Sequence, residues 1–85
     1  MFVTVLHHIH DPHGFVAAEE KALEAGMPAG VALPIHAATT DHSFGVCIWE
    51  GESLEAVRDL VEGLSAAYSR NEYFEMNVDG LVPSL

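Results

Sequence analysis

Basic residues are scarce in this sequence. Three lysines and arginines stand against thirteen acids, a formal charge of −10. A surface of that sign repels phosphate backbones and anionic lipid headgroups, so nucleic acid and membrane are not expected as partners. Cysteine is scarcer still, with Cys47 alone. A single thiol excludes an internal disulfide and fits a reducing compartment. No hydrophobic signal segment opens the chain, and its apolar start, Met1 to Leu6, reaches His7-His8 within strand length, far short of the roughly 20 residues that span a bilayer. A cytosolic protein is expected. The glycines form no phosphate loop, and no HExxH, CxxC or EF-hand pattern occurs. No repeat, low-complexity run or linker divides the 85 residues, so they are expected to fold as one domain, residues 1–85.

Apolar residues make up 49 % of the chain, too many for a disordered segment. A domain this small buries a modest share of its surface and gains from a metal or from self-association. Phe2 to Ile9 is strand-like, rich in Val, Leu and Ile. Asp11-Pro12 supplies an N-cap and a proline at the first helical position, and the helix it opens runs to about Ala25, with Gly26 as the stop. Along it Phe15, Ala18, Ala22 and Ala25 recur on one face, while Glu19, Glu20 and Glu24 are assigned to the wet side. Val31 to Thr39 reads as a second strand, and Pro34 makes it an edge. After the turn at Thr40 to Ser43, Phe44 to Glu50 is a third strand. Ser53 caps a second helix with Leu54, Val57, Val61, Leu64 and Tyr68 on one face, ending before Asn71. Glu72 to Val78 alternates as a fourth strand, and Gly80 to Leu85 reads as an apolar loop.

The order β-α-β-β-α-β defines a ferredoxin-like α+β fold: a four-stranded antiparallel sheet in strand order 4-1-3-2, with two helices on one face. A turn centred on Asp41-His42 pairs Ala37 with Val46, Ile35 with Ile48 and Leu33 with Glu50. This more apolar set is expected beneath the helices. The other set, His36 with Cys47 and Pro34 with Trp49, is then expected on the open face, joined by Phe2, Leu6, His8 and His10 of strand one, while Val3, Val5, His7 and Ile9 lie under the helices. An open face this apolar predicts a homodimer stacked sheet to sheet.

Six histidines, four of them within His7 to His13, are the chemical excess of this sequence. Imidazole and thiolate are good ligands for nickel, copper and zinc, so His8, His10, His36 and Cys47 are the candidate metal set, a divalent Ni, Zn or Cu ion the candidate cofactor. The plainer reading is that His7 and His36 are hydrogen-bonded core residues and the rest are surface. A second candidate site is a small-molecule pocket in which His7, with Tyr68, Tyr73 and Trp49 nearby, acts as base or orients a carbonyl between walls of Val5, Phe15, Ile35, Ile48 and Val61. Plain core packing is its alternative. Cys47, with no neighbouring cation, reads as an inert buried hydrophobe.

The topology and the expected pairing resemble the dimeric α+β barrel proteins, a group that includes cofactor-independent monooxygenases, cyclases and stress-response proteins. The stretch Ile35-His36, Asp41-His42, Val46 to Glu50 and Ser53 to Arg58 is also similar to small bacterial proteins of unknown function, one actinobacterial branch of which is described as nickel-binding. Two expectations follow: a homodimer that binds a transition metal or small ligand through histidines, or a cyclase, isomerase or monooxygenase acting on an apolar small molecule.

Overall fold

The computed structural model of the chain describes residues 1–78. The expected loop Gly80 to Leu85 lies outside them. Six elements follow in order: β1 (Phe2–Ile9), α1 (Pro12–Ala25), β2 (Ala32–Ala38), β3 (Phe44–Glu50), α2 (Leu54–Ser65) and β4 (Ser69–Met76). The four strands form one antiparallel sheet ordered β2-β3-β1-β4, the ferredoxin-like arrangement.

Local chemistry sets the helix starts. Asp11 accepts the Gly14 amide at 3.0 Å with Pro12 opening α1, and Ser53 Oγ accepts the Ala56 amide at 3.0 Å. Helix α1 stops at Gly26, whose φ of 84° suits glycine. Helix α2 ends earlier than its apolar face suggests. The Tyr68 amide turns back to the Ser65 carbonyl at 2.9 Å, which takes Tyr68 off the helix and starts β4 at Ser69, three residues before the expected Glu72. The β2–β3 turn is held by Asp41, which accepts the Ser43 amide and the hydroxyls of Thr39 and Ser43.

The hairpin register is as expected from Ile35 onward: Ile35 opposes Ile48, His36 opposes Cys47 and Ala37 opposes Val46. A bulge between Ala32 and Ile35 then shifts it, so that Ala32, not Leu33, opposes Glu50. Two residues, Leu33 and Pro34, stand across from Trp49. Proline suits such a position, because an unpaired residue in a bulge has no use for an N–H.

The expected face of β3 is reversed. Residues directly opposed in a sheet share a face, and β1 aligns Val3 with Trp49, Val5 with Cys47 and His7 with Gly45. Val3, Val5 and His7 are buried beneath the helices as expected, and they bring Trp49, Cys47 and Gly45 with them. His36, opposite Cys47, follows to the same side. Val3, Val5, Cys47, Trp49, Val57 and Val61 form the core, with Phe15 of α1 and Ile9 also buried.

The open face carries the other set: Phe2, Thr4, Leu6 and His8 of β1, Phe44, Val46 and Ile48 of β3, Ile35 of β2, and Phe74 and Met76 of β4. Ile35, Phe74 and Met76 are 48 %, 46 % and 43 % exposed, an apolar surface that no helix covers.

Candidate functional site

Between the helices and the sheet lies a cavity of about 50 Å³. His7, His36, Cys47 and Trp49 contribute to its floor. Helix α1 roofs it with Phe15, Ala18, Glu19 and Ala22, and α2 adds Val61, Leu64 and Ser65. The lining is almost wholly apolar. A water-sized group needs roughly 10–15 Å³ on this measure, so the cavity has room for a ligand of about three to four heavy atoms.

His7 is the main polar group of the floor and is 3 % exposed. Three features place it. It occupies an inward position of a central strand. Gly45, opposite, lies against the ring, where even an added Cβ would be in ordinary contact, 3.5 Å from His7 Cδ2. Phe15 stacks on it edge to face at 5.1 Å. Nδ1 lies 2.6 Å from Oδ1 of Asn71, the residue opposite His7 on β4. The direction of that bond follows from what stands behind Asn71. Asn71 Nδ2 is 2.8 Å from Glu62 Oε2, and an ionised carboxylate only accepts. Nδ2 therefore donates, Oδ1 accepts, and His7 Nδ1 carries the hydrogen. Ser69 Oγ, 2.7 Å from the same Oδ1, donates to it as well. Glu62 is kept ionised by hydrogen bonds from Tyr73 and Asn71, which hold its carboxyl below the usual range. Burial lowers the His7 pKa, outweighing the Asn71 bond that raises it, so the ring is neutral at pH 7. A neutral ring with hydrogen on Nδ1 has a lone pair on Nε2.

Among the described residues nothing pairs with that Nε2, nor with Nε1 of Trp49, which is 5 % exposed. Buried polar atoms without partners cost about 1–3 kcal/mol each and are rare in folded proteins. Here both belong to residues of one cavity.

At the β2 side, the Glu19 carboxyl of α1 meets His36 Nε2. Glu19 thus turns toward the sheet edge rather than to the wet side assigned to it. Its carboxyl is raised by burial, against the pull of His36 and His42. Beside it, burial and then the Glu19 charge push the Cys47 thiol up to about 12, which leaves it protonated and inert, as its sequence context suggests.

No protein-family model, curated protein or solved structure matches the chain.

The expected metal set is not assembled. His36 and Cys47 are neighbours on the helix side of the sheet, with Cys47 buried and His36 exposed on the edge strand. His8 is on the open face, bound to Glu72 at 2.6 Å and stacked on Phe44, and His10 is exposed beyond the end of β1. The sheet separates the first pair from His8. Among the described residues, no three His, Cys, Asp or Glu side chains are grouped to hold one ion. These donors do not fit a single nickel, zinc or copper centre.

Of the expected pocket residues, His7 and Trp49 line the cavity and the tyrosines do not. Tyr73 donates to Glu62 behind His7, and Tyr68 packs against Gly14 at the start of α1. Ile35 and Ile48, expected as walls, are on the other side of the sheet. Asn71, Glu62 and Glu19 were not visible as site residues in the sequence. Asn71 lies 64 positions from His7, and only the β1–β4 register brings them together.

Proposed function

We propose that the chain is a small-molecule binding domain that holds an apolar ligand between its helices and sheet through His7, and that it works as a homodimer joined by its open sheet face. The observation that carries the binding reading is the buried, unpartnered His7 Nε2, held neutral and in one tautomer by Asn71 and Glu62. The large majority of buried side-chain polar atoms in folded proteins have a partner, so an orphaned ring nitrogen calls for one. The apolar face formed by Leu6, Val46, Ile48 and Phe74 supports the pairing, because a lone monomer would leave it in water. Of the two expectations for the histidines, the small ligand is favoured over the metal ion for the geometric reason given above.

The test is a fragment screen by NMR on the whole chain, with Ala22→Leu as the control that fills the cavity. Fragments should perturb the His7 and Trp49 ring signals in the wild type and lose this effect in Ala22→Leu. Equal responses in both proteins would place the binding elsewhere and end the proposal.

The same arrangement favours a second reading, catalysis by proton transfer. A carboxylate, an amide and an imidazole stand in series, and His7 lines an apolar space; a general base needs such a held imidazole, together with a small movement that would bring Nε2 to the ligand. A bound carbon acid would then exchange its acidic proton with solvent in the wild type and not in His7→Phe; equal exchange rates would remove this reading.

A further inference from the structure

The cavity changes character from one end to the other. Phe15, Cys47 and Val61, which close its inner part, are buried. Its outer part, between the C-terminal half of α1 and the edge strand β2, is lined by Leu23, which is 53 % exposed, and by half-buried Met27 and Leu33. Glu19 and His36 line it too, with side chains 20 % and 34 % exposed. The space is thus open to solvent on the β2 side. Within it the surface is almost wholly apolar, so a polar group drawn inside loses its water with little in return. An alkyl group gains by entering, about fourfold in affinity for each CH₂ buried.

The charge at the opening has one sign. No lysine or arginine lines the cavity. Glu19 and His36 meet there; with one proton between them the pair is neutral, and with none it is an anion. At about 100° per residue around α1, Glu20 stands about 60° from Leu23, while Lys21, the one lysine or arginine of this helix, stands about 160° away. The chain as a whole carries −10.

We infer that the ligand enters tail first: an alkyl end of about three to four heavy atoms fills the cavity, and an ammonium head stays in water at the opening beside Glu19. This rests on the pocket reading above and deepens it by naming the ligand class, a short-chain alkylamine. A carboxylate on the same tail is repelled by the field that draws the amine in. A potential of only about −1 kT per unit charge at the opening separates cation from anion about sevenfold.

Propylammonium, propan-1-ol and butanoate have the same propyl tail and a positive, a neutral and a negative head. Each is titrated at pH 7 into the whole wild-type chain, followed by the methyl signals, in parallel with Ala22→Leu. Leu23 and Val61 should move, while Val46 and Ile48, across the sheet, stay. At about 0.01 M salt the affinities should fall in the order ammonium, alcohol, carboxylate, with at least about fivefold between the ends; at about 1 M salt, where the Debye length is only about 3 Å, the spread should narrow. A different order, or a spread that salt leaves untouched, overturns the head-group rule while the pocket survives. If none of the three moves Leu23 and Val61, if Val46 and Ile48 move instead, or if Ala22→Leu responds as the wild type does, the pocket reading falls and the rule with it.

Discussion

Replacing His7 with phenylalanine should flatten the response of stability to mild acid. In the folded protein burial lowers the affinity of this imidazole for a proton, while the unfolded chain binds one with the ordinary value near 6.5. As pH falls through 6.5 the unfolded state takes up the proton first, and stability falls with it until the depressed folded value is reached. A single proton limits the slope to about 1.4 kcal/mol per pH unit. Phenylalanine has no such proton. Near neutral pH the exchange is expected to cost little. The Asn71 hydrogen bond, worth about 1 kcal/mol, is lost, but the unpartnered Nε2 goes with it. Asn71 Oδ1 keeps the Ser69 hydroxyl, and the new ring meets Phe15. The pair His8–Glu72, on the other face of the sheet, is common to both proteins and cancels in the difference, while the His36 and Glu62 charges act on His7 only where the folded ring takes up its proton. Urea unfolding of wild type and variant at intervals from pH 7.5 to 5 measures it. The stability difference should move in favour of the variant as pH falls below 6.5. Parallel curves across that window would mean that His7 is not held as described.

Three further outcomes follow from the same geometry. Gly14→Ala should cost about 1–3 kcal/mol in urea unfolding, because the added methyl meets the Tyr68 ring that packs on the start of α1; an unchanged midpoint would show that the ring moves freely aside. Cys47, with its thiol pushed up to about 12 and 4 % exposed, should react with a disulfide reagent at pH 8 only as fast as the protein opens; reaction at the rate of an unhindered thiol would contradict its burial. Ile48→Lys, on the open face, should turn a sedimenting dimer into a folded monomer; a wild type that is monomeric at high micromolar concentration would refute the pairing.

The element order and the hairpin register were legible because each has a local cause. Asp11-Pro12 and Ser53 open helices wherever they stand, and a turn at Asp41-His42 leaves little choice about what opposes Ile48. The face of β3 was not legible, and the reason is physical. Apolar alternation reports which side of a strand is dry only when the other side is wet. Here Phe44, Val46 and Ile48 are as apolar as Cys47 and Trp49, so hydrophobicity gave no phase, and choosing the more uniform set chose the wrong one. The correct phase comes from β1, where His7 and Gly45 must share a side. The chain behind His7 was hidden for another reason. Asn71 and Glu62 are ordinary polar residues in ordinary settings, and nothing within either segment marks them until β4 is set beside β1.

The bulge at Leu33 and Pro34 reaches beyond the cavity. A β-sheet whose outermost strand is straight, with every amide free, invites strands from other chains to add on, and that growth is how many small sheet proteins polymerise. β2 is an outermost strand, and at its irregular point it has a residue without an amide hydrogen and a local bend. An incoming strand would lose its ladder there. The bulge thus guards this flank against runaway assembly, and removing Pro34 would open the flank to it.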